Sequence, residues 1–215
     1  MDALTSGKFD PHKVALILFQ TGGGCRASNY ISLLRKALAA AGYGYVPVVS
    51  LNFAGIEKNP GFTLTIPMLY RMVYGILLGD LLMLLRNQCR PYELCRGDSD
   101  RLAAEWTDRL AAELGSGKKV RYRRIKGYYN AITEEFSRIP RRTEAKVRVG
   151  IVGEIFVKFS PLGNNNLEEF LLSEGAESVM PGLLDFCLYY ICNLMADWQL
   201  YRMGSRKKYW IARLA

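Results

Sequence analysis

Short apolar runs alternate with helical patterns near the start of the chain, which predicts a pair of parallel strands. Residues 14–19 (VALILF) form a continuous apolar run, typical of a parallel strand that is covered on both faces. A helical pattern follows from about residue 28 to 41, and residues 46–49 (VPVV) form a second predicted strand. The three segments together predict one βαβ unit.

The same alternation returns in the last third of the chain. We predict a strand at residues 147–152, a loop at 153–163, a helix at 164–174, a short strand at 177–180 and an apolar helix at 183–198. A basic and aromatic tail follows. This order predicts a second unit of parallel strands.

Between these two units the pattern is helical. Apolar residues recur over about residues 65–87, then at every fourth position from Leu102 to Leu114, and a basic helix is predicted over about 120–138. The predicted fold class is α/β, with Rossmann-like parallel-sheet units and a helical insertion. One sheet with helices on both faces is the alternative. The predicted domains are residues 1–62 (first α/β unit), 63–142 (helical insertion and basic linker) and 143–215 (second α/β unit with a C-terminal helix).

The predicted helix near the centre could be mistaken for a membrane span. Residues 66–85 are apolar and as long as a bilayer crossing requires. Arg71 and Asp80 lie within them, however, and each is costly in lipid. We therefore interpret the segment as a core helix or a subunit contact, and expect no membrane partner. A true span is the weaker alternative.

Composition limits the function classes. The chain has 215 residues, half of them hydrophobic, which excludes general disorder. Five widely spaced cysteines argue against a disulfide scaffold, and the N-terminus lacks a signal-peptide core, so we expect a reducing, cytoplasmic location. A single histidine, His12, argues against His-based catalysis and multi-His metal sites.

Most of the net charge of +9 comes from one segment. Residues 118–148 contain eleven basic and three acidic side chains, a net charge of +8. This excess could recruit an anionic partner, either nucleic acid or a phosphorylated ligand such as coenzyme A. Tyr122, Tyr128 and Tyr129 interleave with the bases and could stack on nucleobases, or they could pack inward. A solvated helix is the simpler interpretation, so we do not expect nucleic acid as the main partner.

A glycine-rich hexapeptide follows the first predicted strand and precedes a helix. Ligands bind at the carboxyl ends of strands in open α/β sheets, and glycines allow close backbone approach. The start of a helix favours anions and lowers the pKa of a thiol, so Cys25 is placed to be a thiolate. The segment is neither a Walker A loop nor a GxGxxG fingerprint. A tight turn with an incidental cysteine is the alternative. The candidate residues are Thr21, Gly22, Gly23, Gly24, Cys25 and Arg26.

The second loop, residues 153–163, also leaves a strand end. Glu154 and Lys158 can pair with each other or face a ligand, and the amides of Asn164 and Asn165 can cap the next helix or bind a ligand. The other cysteines offer no metal-binding spacing. We interpret Cys187 and Cys192 as core thiols, and Cys89 and Cys95 as incidental.

Several of these segments resemble one family. The segment QTGGGCRASNYISLLRKAL, the VPVVSLN strand, the RPYE at residues 90–93 and VGIVGEIFVKFSPLGNNNLEEFLLSEGAE are similar to blocks of the CoA-substrate-specific enzyme activases. Those proteins are relatives of 2-hydroxyacyl-CoA dehydratases and benzoyl-CoA reductases. The resemblance implies paired Rossmann-like domains, a [4Fe–4S] cluster held by cysteines from several loops, and ATP-driven low-potential electron transfer to an acyl-CoA system. It implies Cys25 as a cluster ligand.

Family members are longer, so the resemblance also implies that this chain is a truncated region. ATP would bind on a part outside it, and the chain would be inactive alone.

Three hypotheses follow. The first is the iron–sulfur-associated, dehydratase-like region of an activase-type protein, in which Glu154, Lys158 and Asn164 to Asn166 line the cleft. Its partners would be the remainder of the same polypeptide or partner subunits, with an acyl-CoA substrate. The second is a non-catalytic binding or assembly module, and a homodimer is one of its possible assemblies. The third is anion or nucleic-acid binding through residues 118–148.

Overall fold

The computed structural model describes residues 2–20, 26–51, 64–117 and 120–214. The chain divides into two compact units, residues 1–65 and 66–215. Helices and small parallel sheets occur in both units, as the prediction of an α/β chain requires.

The first unit contains a parallel strand pair joined through a helix. Strands β1 and β2 are in register from Leu16 opposite Val48 to Phe19 opposite Leu51, which confirms the predicted parallel pair. Ile31 and Leu38 bury one face of α2, and Leu38 packs with Leu4 and Val46. The elements are α1 (Asp2–Thr5), β1 (Leu16–Phe19), α2 (Tyr30–Ala40), β2 (Val48–Leu51) and the 3-10 helices Pro11–Lys13 and Arg26–Asn29.

One expectation for β1 is wrong. The apolar run predicted a strand covered on both faces, but Ile17 is 53% exposed, while Leu16 and Leu18 are half-buried. An apolar run marks residues that can be buried, and burial also requires another element on that face. Among the described residues of this unit, only one face of β1 is well covered.

The second unit is mostly helical. Its elements are α3 (Ile66–Cys89), α4 (Asp98–Gly115), α5 (Tyr122–Ser137), β3 (Arg148–Gly150), α6 (Ile155–Phe159), α7 (Pro161–Asn164), α8 (Leu167–Ser173), β4 (Glu177–Val179), α9 (Leu183–Tyr201) and α10 (Arg206–Leu214). Strands β3 and β4 pair in parallel from Arg148 opposite Glu177 to Gly150 opposite Val179, as predicted.

Helices α3, α4 and α5 pack around the main core of this unit. Leu78 of α3, Trp106 of α4, and Ile132 and Phe136 of α5 are almost fully buried in it. By length and composition α3 is apolar and long enough to cross a membrane, and 17% of its most apolar stretch is buried in the structure. The core-helix interpretation therefore holds for the half of α3 near Leu78, whereas Ile66 at its start is 71% exposed.

Two local predictions in the second unit are corrected. Residues 153–163 were predicted as a loop, but they contain α6 and most of α7. Cys187 and Cys192 were predicted as core thiols, yet both are exposed on α9. The apolar sequence of α9 suggested burial on every side, whereas α9 packs on α3 and α10 and leaves Tyr189 and Tyr190 about 60% exposed.

Candidate functional site

The predicted cysteine loop follows a well-anchored strand end. Residues 21–25, which include Thr21, Gly22, Gly23, Gly24 and Cys25, lie outside the described residues, so their roles stay predictions. The residue before them, Gln20, is buried, and its backbone N–H donates to the Leu51 carbonyl of the adjacent strand at 3.0 Å.

The side chain of Gln20 ties this strand end to the segment that begins α2. Its amide Nε2 donates to the Ser28 carbonyl at 2.9 Å, and its Oε1 accepts from the Ser50 hydroxyl at 2.7 Å. Arg26, the candidate that is described, is exposed at the start of the 3-10 helix that leads into α2. A buried amide therefore holds the two chain segments that border the GGGC sequence.

The second predicted site combines buried and exposed residues. Lys158 is 8% exposed on α6, and its Nζ lies 4.7 Å from the ring centroid of Phe159, a cation–π contact. Asn164 donates through Nδ2 to the Lys158 carbonyl at 3.3 Å, and its Oδ1 accepts from the Leu167 N–H at 3.2 Å at the start of α8. Asn164 thus caps a helix. Glu154 occupies the N-cap position of α6, and Asn165 is exposed with a left-handed backbone, φ 56°.

The RPYE sequence has a structural explanation that the sequence alone did not give. Glu93 is 8% exposed, and its carboxylate accepts hydrogen bonds from the Gly97 N–H at 2.5 Å, the Ser99 N–H at 2.9 Å and the Ser99 hydroxyl at 2.5 Å. A negative group at this position satisfies free N–H donors and complements the positive end of the α4 dipole. Glu93 therefore fixes the start of α4.

Arg90 of the same sequence joins three elements through two carboxylates. Its Nε donates to Asp100 Oδ2 at 3.0 Å, while its two terminal nitrogens donate to Glu169 of α8 at 2.6 and 2.9 Å. These hydrogen bonds lower the pKa of the Glu169 carboxyl below its usual value. The neighbouring Arg86 donates to the other oxygen of Asp100 at 2.5 Å. This paired, bidentate arrangement links α3, α4 and α8.

Tyr92 anchors the second strand pair. Its hydroxyl donates to the buried Glu177 at 2.8 Å, and Arg148 of β3 donates to the same carboxylate at 3.1 Å. The hydrogen bond to Glu177 raises the pKa of the Tyr92 phenol. The backbone of Tyr92 also accepts from Arg142 at 2.7 Å. Residues 90–93 thus connect several elements of the second unit through contacts with side chains from distant parts of the chain.

Asp80 has a similar task at the start of α9. Its two carboxylate oxygens accept from the N–H groups of Leu183 at 3.0 Å and Leu184 at 2.7 Å. A Cβ at Gly182 would lie 2.5 Å from Asp80 Oδ2, so this close approach requires glycine. The charge that argued against a membrane span therefore caps another helix.

The described cysteines do not form a four-thiolate cluster site. Cys89 is 2% exposed with its sulfur 3.7 Å from Arg141 Nη1, and burial raises the pKa of its thiol. Cys95, Cys187 and Cys192 are exposed. No group of three or more potential metal ligands occurs within the described ranges. The described residues thus do not complete a [4Fe–4S] ligand set, and the role of Cys25 as a ligand stays a prediction.

A groove of about 530 Å³ lies beside α4 and the end of α5. Its walls carry acidic and basic side chains, and some of these already have partners. Arg101 forms an ion pair with Asp98 at 2.9 Å, and Glu135 accepts a hydrogen bond from Trp106 Nε1 at 3.0 Å. None of the predicted site residues lines this groove.

No family model, no curated protein and no solved structure matches the chain. The family resemblance consequently depends on the motif residues themselves, with Cys25 and the residues that surround it as the most specific part.

Proposed function

We propose that this chain is the 2-hydroxyacyl-CoA dehydratase-like, iron–sulfur-associated region of an activase-type protein. It would take part in ATP-driven low-potential electron transfer to an acyl-CoA-type reaction in the cytoplasm. ATP would bind to a part of the protein outside this chain. The two parallel strand pairs would be Rossmann-like halves of that region.

The observation that carries the proposal is the anchored end of β1. Ligands in α/β proteins bind where parallel strands end and the following helices begin. Gln20 is buried there and binds both Ser50 of β2 and the Ser28 carbonyl before α2. The intervening GGGC sequence offers a thiol, side-chain-free backbone and the adjacent charge of Arg26. Those are the groups that a negatively charged thiolate site needs.

The proposal assigns one thiolate to this chain. Iron–sulfur clusters are held by cysteine thiolates, and of the described cysteines Cys89 is buried away from any external cluster. The remaining ligands would come from the remainder of the same polypeptide or from a partner subunit. A cluster shared in this way requires Cys25 to lie at an accessible surface.

Iron and sulfide analysis of anaerobically purified protein tests the proposal. Reconstituted with iron and sulfide together with the remainder of the polypeptide or the partner subunit that supplies the other ligands, the wild-type protein should be brown, and Cys25→Ala should lose most of the iron. The matched control is Cys95→Ala, which removes an exposed thiol from the second unit and should retain wild-type iron content. A colourless sample of this chain by itself would show that the chain alone does not hold a cluster, and equal iron in the Cys25→Ala and Cys95→Ala proteins would contradict the assignment of Cys25.

A non-catalytic assembly module is the second candidate, and the surface of α9 favours it. Tyr189 and Tyr190 are 63% and 59% exposed, and Leu188, which precedes them, is 50% exposed. Large exposed apolar side chains on a helix are typical of interaction surfaces. A stable dimer by light scattering, together with iron content near zero, would favour this candidate over the first.

A further inference from the structure

The basic segment around α5 contains two kinds of cation. Some are neutralised: Arg124 pairs with Glu113 at 2.9 Å, Arg138 with Glu134 at 2.5 Å, and Arg148 with Glu177 at 3.1 Å. Others are exposed and belong to none of the ion pairs found in the described part of the chain. Among these, Arg121, Arg123 and Lys126 lie near the start of α5.

The tyrosines of this segment also fall into two groups, one half-buried and one exposed. Tyr128 is half-buried and meets Trp106 edge-to-face, with ring centroids 6.2 Å apart, as inward packing requires. Tyr122 is 71% exposed and Tyr129 is 46% exposed. The inward-packing interpretation is therefore correct for Tyr128 and does not explain the other two.

Tyr122, Arg123, Lys126 and Tyr129 lie within one sector of about 120° on the helix surface. Ile125, Ile132 and Phe136 form the adjacent buried stripe of α5, next to Tyr129. Tyr122 and Tyr129 are seven residues apart, which is two turns or about 10 Å along the axis, and Lys126 lies between them. An aromatic, a cation and a second aromatic thus follow one line, with Arg123 beside it.

The position of these cations is unfavourable for the isolated helix. Positive charges near a helix N-terminus oppose the positive end of its dipole, and the first turn of α5 holds no acidic residue. Arg121, at the N-cap position, makes no side-chain capping hydrogen bond. A bound anion would relieve this repulsion.

We propose that the surface over the first half of α5, formed by Tyr122, Arg123, Lys126 and Tyr129 together with the preceding Arg121, binds single-stranded nucleic acid. Phosphates would pair with the three cations, and unpaired bases would stack on the two tyrosine rings. A helix surface is convex, so a small phosphorylated ligand would bury little area on it, whereas a polymer gains from several contacts at once. A duplex keeps its bases stacked inside and leaves the tyrosines without partners.

Fluorescence anisotropy with the full chain and a labelled single-stranded oligonucleotide of about 12 nucleotides tests this surface. With three phosphate contacts, the affinity should fall about 20-fold between about 50 and about 200 mM salt. Lys126→Ala should weaken binding and reduce the salt dependence by about one third. Lys36→Ala removes another exposed charge, on α2, and should leave the affinity unchanged.

The tyrosines separate stacking from simple attraction between charges. Replacing both Tyr122 and Tyr129 by Leu should weaken binding at least tenfold while preserving the salt dependence. Because both side chains are exposed, circular dichroism should show an unchanged fold. Three results would overturn the proposal: no binding at low salt, equal loss of affinity in Lys36→Ala, or tyrosine-independent binding to which duplex DNA or polyglutamate competes equally well. The last result would identify a surface for general polyanions.

Discussion

Replacing Glu93 by Ala should destabilise the second unit more than the loss of an ordinary acidic residue. The buried carboxylate serves three donors at the start of α4: the N–H of Gly97 and both the N–H and the hydroxyl of Ser99. Ser99 is fully buried, so water cannot easily replace the lost acceptor. The substitution therefore leaves hydrogen-bond donors without an acceptor, in addition to removing a charge.

The magnitude follows from those donors. A buried donor without a partner costs about 1–3 kcal/mol, and loss of an N-terminal helix cap costs about 1 kcal/mol. The Ser99 hydroxyl can rotate and Gly97 is only half-buried, so we assign the full penalty to the Ser99 N–H alone. We expect Glu93→Ala to lower the free energy of unfolding by about 3 kcal/mol. Glu93→Gln keeps one oxygen and should cost about half of that.

Urea unfolding followed by far-UV circular dichroism measures this change. Glu144→Ala is the matched control because Glu144 is exposed, and it should stay within about 0.5 kcal/mol of wild type. If Glu93→Ala unfolds at the same urea concentration as Glu144→Ala, the carboxylate does not hold the start of α4.

Three further predictions concern the second unit. The Arg90 hydrogen bonds lower the pKa of Glu169 below 4.5. The stability difference between wild type and Glu169→Gln should therefore be present at neutral pH and should vanish as the pH falls through the lowered pKa. Urea midpoints measured across this pH range test the prediction, and a pH-independent difference would contradict it. Gly182→Ala should displace Asp80 from the start of α9 and cost about 1–2 kcal/mol, and an unchanged thermal midpoint would contradict this close approach. Ile132→Ala should cost about 3 kcal/mol by urea unfolding because the side chain is fully buried, and a loss below about 1 kcal/mol would mean that α5 packs elsewhere.

Periodicity predicted the elements best where an apolar pattern faces one neighbour. The apolar run before Gln20 and the helical pattern of α2 correctly predicted the parallel strand pair of the first unit. The short strand predicted at residues 177–180 is present as β4. The same reasoning failed for residues 153–163, because α6 and α7 are too short for a helical period to appear and Pro161 and Gly163 look like loop residues.

Burial and long-range contacts were harder to predict. Cys187 lies in an apolar sequence, but exposure depends on which elements cover α9, and hydropathy does not contain that information. Asp80 contacts Leu183 across 103 positions of the chain, and Arg90 contacts Glu169 across 79. No local spacing connects such pairs. The RPYE sequence therefore suggested a family block, whereas its structural role required coordinates.

Alkylation of each cysteine, measured by mass spectrometry before and after iron removal, tests the central claim most directly. In iron-loaded protein Cys25 should resist alkylation, and chelation of the iron should make it reactive. The exposed Cys95, Cys187 and Cys192 should react in both samples, and the buried Cys89 should react only after unfolding. If Cys25 reacts at the same rate in the iron-loaded and iron-free proteins, its thiolate does not bind the cluster.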